Sequence, residues 1–190
     1  MNTLFPLFVK LEQQSILLVG GGYVALEKLT AIYANSPATV LTLVAPEIRQ
    51  EIREMATQFS IQFIEKPFDS SFLVDKNLVF VATNDKLVNK RISDECRQKG
   101  ILVNVADTPD ACDFYLGSVV QKGDLKIGIS TNGKSPTFAK RFREILTDIL
   151  PDSLQETLDN LQAIRNKLKG DFEEKVEKLN EITKVMRAEK

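Results

Sequence analysis

Histidine is missing from the 190-residue chain altogether. The side chain most often used as a general base near neutral pH, and the imidazole that most often ligates metals, are therefore both gone. Any proton transfer falls to carboxylates, lysines, tyrosines or water, and no metal site is assigned. Cysteine is nearly as scarce. Cys96 and Cys112 cannot build a disulfide framework, and the opening MNTLFPLFVK has neither a basic start followed by an apolar run nor a small-residue cleavage site. Both features predict a reducing, cytoplasmic location. No apolar stretch approaches the roughly 20 residues needed to cross a bilayer. ILLVGGGYVAL is broken by three glycines and then meets Glu27 and Lys28, which excludes a membrane span. A strong charge imbalance is lacking too: a net charge of -1 and a pI of 5.7 give no global field to draw nucleic acid. Internal repeats and low-complexity segments are also absent.

What is present is 43% hydrophobic residues, enough over this length to bury the core of a nucleotide-binding domain plus a smaller appendage. Ser15 to Val19 reads as a short, fully buried strand running into Gly20-Gly21-Gly22 and then a helix with Val24, Lys28, Leu29 and Ile32. ATVLTLVA, from Ala38 to Ala45, is a second strand stopped by Pro46. Ile48, Ile52, Met55, Ala56 and Phe59 then recur at helical spacing. Ile61 to Ile64 and Leu78 to Ala82 are further strands. Thr83-Asn84-Asp85 forms a capping cluster for a helix through Ile92 and Cys96, closed by Lys99-Gly100. Ile101 to Val105 is the fifth strand. This alternation predicts an α/β fold, a Rossmann-type doubly wound parallel sheet with right-handed crossovers, over residues 1–113.

The pattern then changes. Phe114 to Gln121 and Leu125 to Ser130, joined by Lys122-Gly123-Asp124, read as a hairpin. Ser135-Pro136 starts a helix with Phe138, Phe142, Ile145, Leu146 and Ile149 on one face, and Pro151 ends or kinks it. Residues 114–150 are thus expected to form a small α+β dimerisation module. The edge strands, and more apolar seam than so small a module can bury, predict a homodimer. From 151 to 190 the spacing of Leu154, Leu158, Leu161, Ile164 and Leu168, then Phe172, Val176, Leu179, Ile182 and Met186, predicts an amphipathic helical tail interrupted at Gly170.

Gly20-x-Gly22-x-x-Ala25 between strand and helix is the Rossmann fingerprint with alanine in the third small position. The first glycine permits the tight turn. Gly22 lets a pyrophosphate approach the helix N-terminus, where amide groups and the macrodipole favour anions. The acid expected about 20 residues on is missing, because the second strand ends Leu43-Val44-Ala45-Pro46. Glu47 either reaches a ribose hydroxyl or is the first-turn acid of the next helix, and Arg49 stands near enough to serve a 2′-phosphate. The candidate cofactor-binding set is Gly20, Gly21, Gly22, Tyr23, Val24, Pro46, Glu47, Thr83, Asn84 and Asn104, with NAD preferred over NADP. Asp107, after the fifth strand at the ligand-binding edge, is the candidate proton acceptor in a chain without histidine. Its alternative is a turn aspartate before Thr108-Pro109.

Taken in order, Leu17-Leu18-Val19-Gly20-Gly21-Gly22-x-Val24-Ala25 with Lys28, Val44-Ala45-Pro46-Glu47, Ala82-Thr83-Asn84-Asp85 with Asn89, Val103-Asn104-Val105-Ala106-Asp107, and Ile129-Ser130-Thr131-Asn132-Gly133-Lys134-Ser135-Pro136 resemble the signatures of the siroheme synthase N-terminal domain. That is the precorrin-2 dehydrogenase / sirohydrochlorin ferrochelatase family. The chain has Glu27 where the family usually has arginine, and Phe114-Tyr115-Leu116-Gly117 where many members have Phe-x-x-Pro. The resemblance implies NAD-dependent oxidation of precorrin-2 to sirohydrochlorin, ferrous-iron insertion in bifunctional members, and a homodimer whose active site lies between the Rossmann domain and the module around 114–150. It implies that Asp107 is the family's key aspartate and that Thr131 stands where some members carry serine. The implied tetrapyrrole carries eight carboxylates, so Lys134, Lys140 and Arg141, with Thr131 and Ser135, are the candidate substrate-binding residues. Each of these cations is equally readable as a solubilising charge. Chelation is expected to be weak, and with the sequence ending at Lys190 no methyltransferase domain is expected. The residues also leave open a nucleotide-binding sensor or scaffold that kept the fold without turnover.

Overall fold

The computed structural model describes residues 2–186, with the side chains of Val185 and Met186 outside the described set. The Met186 side chain of the expected apolar tail, and residues 1 and 187–190 of the expected regions, therefore lie outside it. The chain divides between Gly117 and Ser118 into two compact units.

In chain order the first unit runs β1 (Ile16–Val19), α1 (Tyr23–Asn35), β2 (Val40–Val44), α2 (Gln50–Met55), β3 (Ser60–Ile64), β4 (Leu78–Val81), α3 (Lys86–Gln98) and β5 (Leu102–Val105). The strands pair in the order β3-β2-β1-β4-β5, every neighbour parallel. A central strand covered on both faces must be apolar at every position, and all four residues of β1 are buried. Ile16 and Leu18, with Leu41, Leu43 and Phe80, pack under Ala25, Leu29 and Ile32 of α1 and Ile52 of α2. Leu17 and Val19, with Val79 and Val81, pack on the other face under Ile92 and Cys96 of α3. The sheet is doubly wound, as the alternation predicts. Each fully buried leucine or phenylalanine contributes about 1.5–3 kcal/mol, so the two layers hold the strand ends rigidly in place. The order reverses between β1 and β4, and a crevice at such a switch point is where open α/β sheets take their ligands.

Asp85 caps α3 by accepting from the Leu87 and Val88 amides at 2.8 and 3.1 Å, while Gly100 at φ 69° closes it. The strand expected from Phe114 starts only at Ser118. Phe114 packs edge-on against Phe80, ring centroids 5.5 Å apart, and its carbonyl accepts from Asn104 at 2.8 Å. Burial against the sheet thus outcompetes hairpin pairing for this residue.

The second unit opens with an antiparallel hairpin, β6 (Ser118–Lys122) and β7 (Leu125–Ile129). Lys122 lies opposite Leu125, so Gly123-Asp124 is a two-residue turn, with Gly123 at φ 58°. Then come α4 (Pro136–Ile149), α5 (Leu154–Lys167) and α6 (Phe172–Ile182). The Ser135 hydroxyl accepts from the Phe138 amide at 3.1 Å, with Pro136 in the first turn, as the sequence predicts. α4 packs on β6 through Ala139, its one buried residue. Phe138, Phe142, Ile145 and Ile149 stay exposed, and their 4-3-4 spacing lays them along one stripe. Gly170, at φ 115°, separates α5 from α6.

Candidate functional site

Each glycine of the turn after β1 meets a different constraint. Gly20 sits at φ 121°, and a Cβ there would overlap the Ala82 carbonyl at the end of β4. Gly21 fits against the Glu47 carbonyl, which a Cβ would strike, and its own carbonyl accepts from the Arg49 amide at 3.0 Å. A Cβ on Gly22 would meet nothing within 4 Å. Packing therefore explains Gly20 and Gly21, whereas the openness at Gly22 leaves room for a ligand. Gly22 is also the N-cap of α1, with no side-chain cap and no acid in the first turn. The first turn of this 13-residue helix, at Tyr23 and Val24, thus has no side-chain cap and adjoins the open position at Gly22, an arrangement that suits a pyrophosphate.

Thr83 adjoins the same turn, its amide nitrogen 3.2 Å from where a Gly20 Cβ would sit. The Thr83 hydroxyl bonds Asn89 Oδ1 at 2.5 Å, and Asn89 Nδ2 donates back to the Thr83 carbonyl at 3.0 Å. This pair locks the backbone at the end of β4, beside the switch point, while Asn84 is exposed. Pro46 and Glu47 lie exposed in the bend after β2, over Gly21. The reading of Glu47 as a first-turn acid fails, because α2 begins at Gln50 with Arg49 as its cap, and Glu51 takes that role. Arg49 is engaged by Glu51 at 2.5 Å, which pushes the guanidinium pKa up and holds the Glu51 carboxyl below its ordinary value.

At the end of β5, Asn104 is buried and held at both ends. Its Nδ2 donates to the Phe114 carbonyl at 2.8 Å, and its Oδ1 accepts from Lys28 Nζ at 2.5 Å. Asp107, exposed at the start of the following loop, adopts φ 55°, a left-handed conformation that aspartate tolerates better than most residues. It thus occupies a turn position, in the loop that leaves the carboxyl end of β5. The loop is closed by Cys112: Sγ accepts from the Val105 amide at 3.2 Å and lies 3.1 Å from the Val105 carbonyl and 3.4 Å from that of Thr108. Burial pushes the Cys112 thiol up.

Lys28 and Cys112 are the members of this corner that residue-by-residue reading does not single out. Lys28 did carry a signal: it falls at helical spacing among Ala25, Leu29 and Ile32, all buried, so its stem lies on the apolar side of α1. Burial lowers its pKa, against the raising effect of Cys112, Asp107 and Glu27.

In the second unit, Thr131 and Ser135 close one turn. The Thr131 hydroxyl accepts from the Ser135 amide at 3.2 Å, and Asn132 and Gly133 between them sit at φ 53° and 74°. Lys134, Lys140 and Arg141 are exposed at and after the start of α4.

Comparison with known proteins agrees with this layout. Residues 7–118 match a family model described as "Putative NAD(P)-binding", and residues 122–149 match one described as "Sirohaem biosynthesis protein central". The chain is 34% identical over 176 residues to a siroheme synthase of Psychrobacter cryohalolentis, covering 93% of this chain and 32% of that protein. It is 33% identical over 167 residues to a siroheme synthase of Pseudoalteromonas translucida, covering 88% and 35%. It therefore spans about a third of the length of these curated relatives. A solved structure named SirC, precorrin-2 dehydrogenase, superposes with a TM-score of 0.73 at 27% identity, covering 94% of this chain and 89% of that one. The family model on the first unit spans more than half of the sequence and the second model takes up the hairpin and α4, so the chain belongs to the precorrin-2 dehydrogenase / sirohydrochlorin ferrochelatase family, the N-terminal domain of siroheme synthases.

Proposed function

We propose that the chain oxidises precorrin-2 to sirohydrochlorin with NAD. The observation that carries this reading is a coincidence within the first unit: an uncapped helix start open at Gly22, and an exposed carboxylate, Asp107, on the loop after β5 of the same sheet. In the net change the macrocycle loses two hydrogens, one leaving as hydride to give NADH and the other as a proton. The bound dinucleotide supplies the hydride-accepting ring. The chain supplies placement: Gly20, Gly21 and Gly22 with the amides of Tyr23 and Val24 hold the pyrophosphate, and Pro46 and Glu47 flank a ribose. Thr83, Asn84 and Asn104 line the rest of the edge. Asp107 accepts the departing proton, a role a carboxylate fills in a chain without histidine.

NAD is favoured over NADP because the Arg49 guanidinium is already paired with Glu51, and the Glu47 carboxylate would repel a 2′-phosphate. Thr131, Lys134, Ser135, Lys140 and Arg141 take the carboxylates of the tetrapyrrole, where cations serve as charge-assisted donors. The stripe of Phe138, Phe142, Ile145 and Ile149 is covered by a second copy of the chain in a homodimer. No helix among the described residues is long and apolar enough to cross a membrane. A cytoplasmic enzyme with weak ferrochelatase activity, and with neither nucleic acid nor membrane as partner, completes the reading. Anaerobic incubation with NAD and enzymatically made precorrin-2 tests it: sirohydrochlorin should appear only with both chain and NAD present, and its absence rejects the proposal.

A further inference from the structure

Lysines on a helix normally keep the ammonium in water and bury only the stem. Lys28 does not: its side chain is half-buried, and Nζ donates to Asn104, 76 positions away in sequence, at 2.5 Å. The recipient is itself immobile, since Asn104 is buried and anchored to the Phe114 carbonyl. Three residues beyond Asn104, Asp107 holds its left-handed backbone in a loop closed by the Cys112 thiol. The titratable groups whose charge acts on the ammonium are Cys112, Asp107 and Glu27.

A neutral donor would bond Asn104 without the desolvation that burying an ammonium costs. What a lysine adds at this position is charge, and of the groups that feel it Asp107 is the carboxylate on the loop three residues beyond Asn104. We propose that Lys28 is a positioning residue for the proton acceptor: bonded to Asn104, it fixes the end of β5 and sets a counter-charge beside Asp107. The inference rests on the reading of Asp107 as that acceptor. Burial pushes the Lys28 pKa down, and Cys112, Asp107 and Glu27 push it back up.

A double-mutant cycle with Asp107→Asn tests this, using turnover of precorrin-2 with NAD. Lys28→Met should lower kcat at least about 10-fold in the parent and change it little in the Asp107→Asn background, since a residue acting through another has nothing left to act on. Lys28→Arg, which keeps the charge, should restore most of the rate. Lys28→Gln, which keeps a donor for Asn104 without the charge, should be as slow as Lys28→Met and stands in for it if the methionine variant does not fold. Fold losses that simply multiply in the double variant, or a glutamine variant at the parent rate, overturn the proposal. A second readout needs no turnover: the side-chain NMR signal of Lys28 in labelled protein should titrate below the ordinary lysine range, and lower still in Asp107→Asn. A titration unmoved by that change also overturns it. If Asp107→Asn alone keeps the parent rate, the acceptor reading falls and takes the positioning role with it. An NMR coupling that persists in that case locates the fault in the acceptor reading, not in the electrostatic link between Lys28 and Asp107.

Discussion

Gly20 rests against the main-chain carbonyl of Ala82 so closely that a Cβ would overlap the oxygen, and its φ of 121° is one that side-chain-bearing residues rarely adopt. Gly20→Ala should therefore cost about 3 kcal/mol or more, combining backbone strain with a clash that rigid main chain cannot relieve. Gly22→Ala is the informative contrast. Open space surrounds that position, so stability should fall by no more than about 1 kcal/mol, the usual range for a cap change. NAD affinity, measured by calorimetry, should nevertheless drop at least about 10-fold, because the new methyl group occupies the approach to the helix amides. Equal losses of stability in the two variants would contradict this division of roles.

The turn and the chemistry at Asp107 can be separated in the same way. Asp107→Asn keeps a residue tolerant of φ 55° and should lower turnover about 10²-fold with NAD affinity unchanged. Asp107→Gly should be at least as stable as the parent, since glycine adopts that backbone without strain, yet equally slow. If the aspartate serves the turn alone, the glycine variant will turn over at the parent rate. Chelation removes two pyrrole protons, so any iron insertion should depend on Asp107 more steeply than oxidation does.

Much of this was legible in the sequence wherever local chemistry and tertiary placement agree. The buried β1, the glycine turn, the Asp85 cap and the Ser135-Pro136 helix start each follow from short-range rules, and each is found where expected. Placement that depends on distant partners was not legible. Phe114 looks like strand, but Phe80 and Asn104 hold it in the first unit. Glu47 looks like a helix-start acid, but the close fit of Gly21 against its carbonyl keeps it in the bend. Lys28 falls at the spacing of the apolar face of α1, but its bond to Asn104, 76 positions away, exists only once the fold brings α1 and β5 together.

Alkaline conditions should weaken the first unit in a defined window. Burial pushes the Cys96 thiol up to about 11 from 9.0, and the Tyr33 phenol up to about 12 from 10.0. The folded chain then holds protons that the unfolded chain has released, so stability is full below about pH 9 and falls as pH rises through the two folded values. Denaturation midpoints at about pH 8 and about pH 11 should differ in the parent, and less so in Cys96→Ala and Tyr33→Phe. A parent midpoint constant across that range would count against the burial of both groups.

The exposed stripe on α4 gives a prediction about assembly. Phe142→Glu or Ile145→Glu places a carboxylate in the middle of it, on side chains already 39% and 56% exposed, so the fold of one chain should be little affected. Light scattering should report a dimer for the parent at micromolar concentration and a monomer for either variant. A monomeric parent would contradict the homodimer reading.

Oxidation of precorrin-2 by NAD has one fixed stoichiometry. Purified chain, NAD and precorrin-2, followed anaerobically by absorbance, should give one NADH for each sirohydrochlorin formed, at a rate proportional to the amount of chain. Sirohydrochlorin formed without matching NADH, or binding of NAD with no oxidation at any chain concentration, would contradict the claim that this family member is an NAD-dependent dehydrogenase.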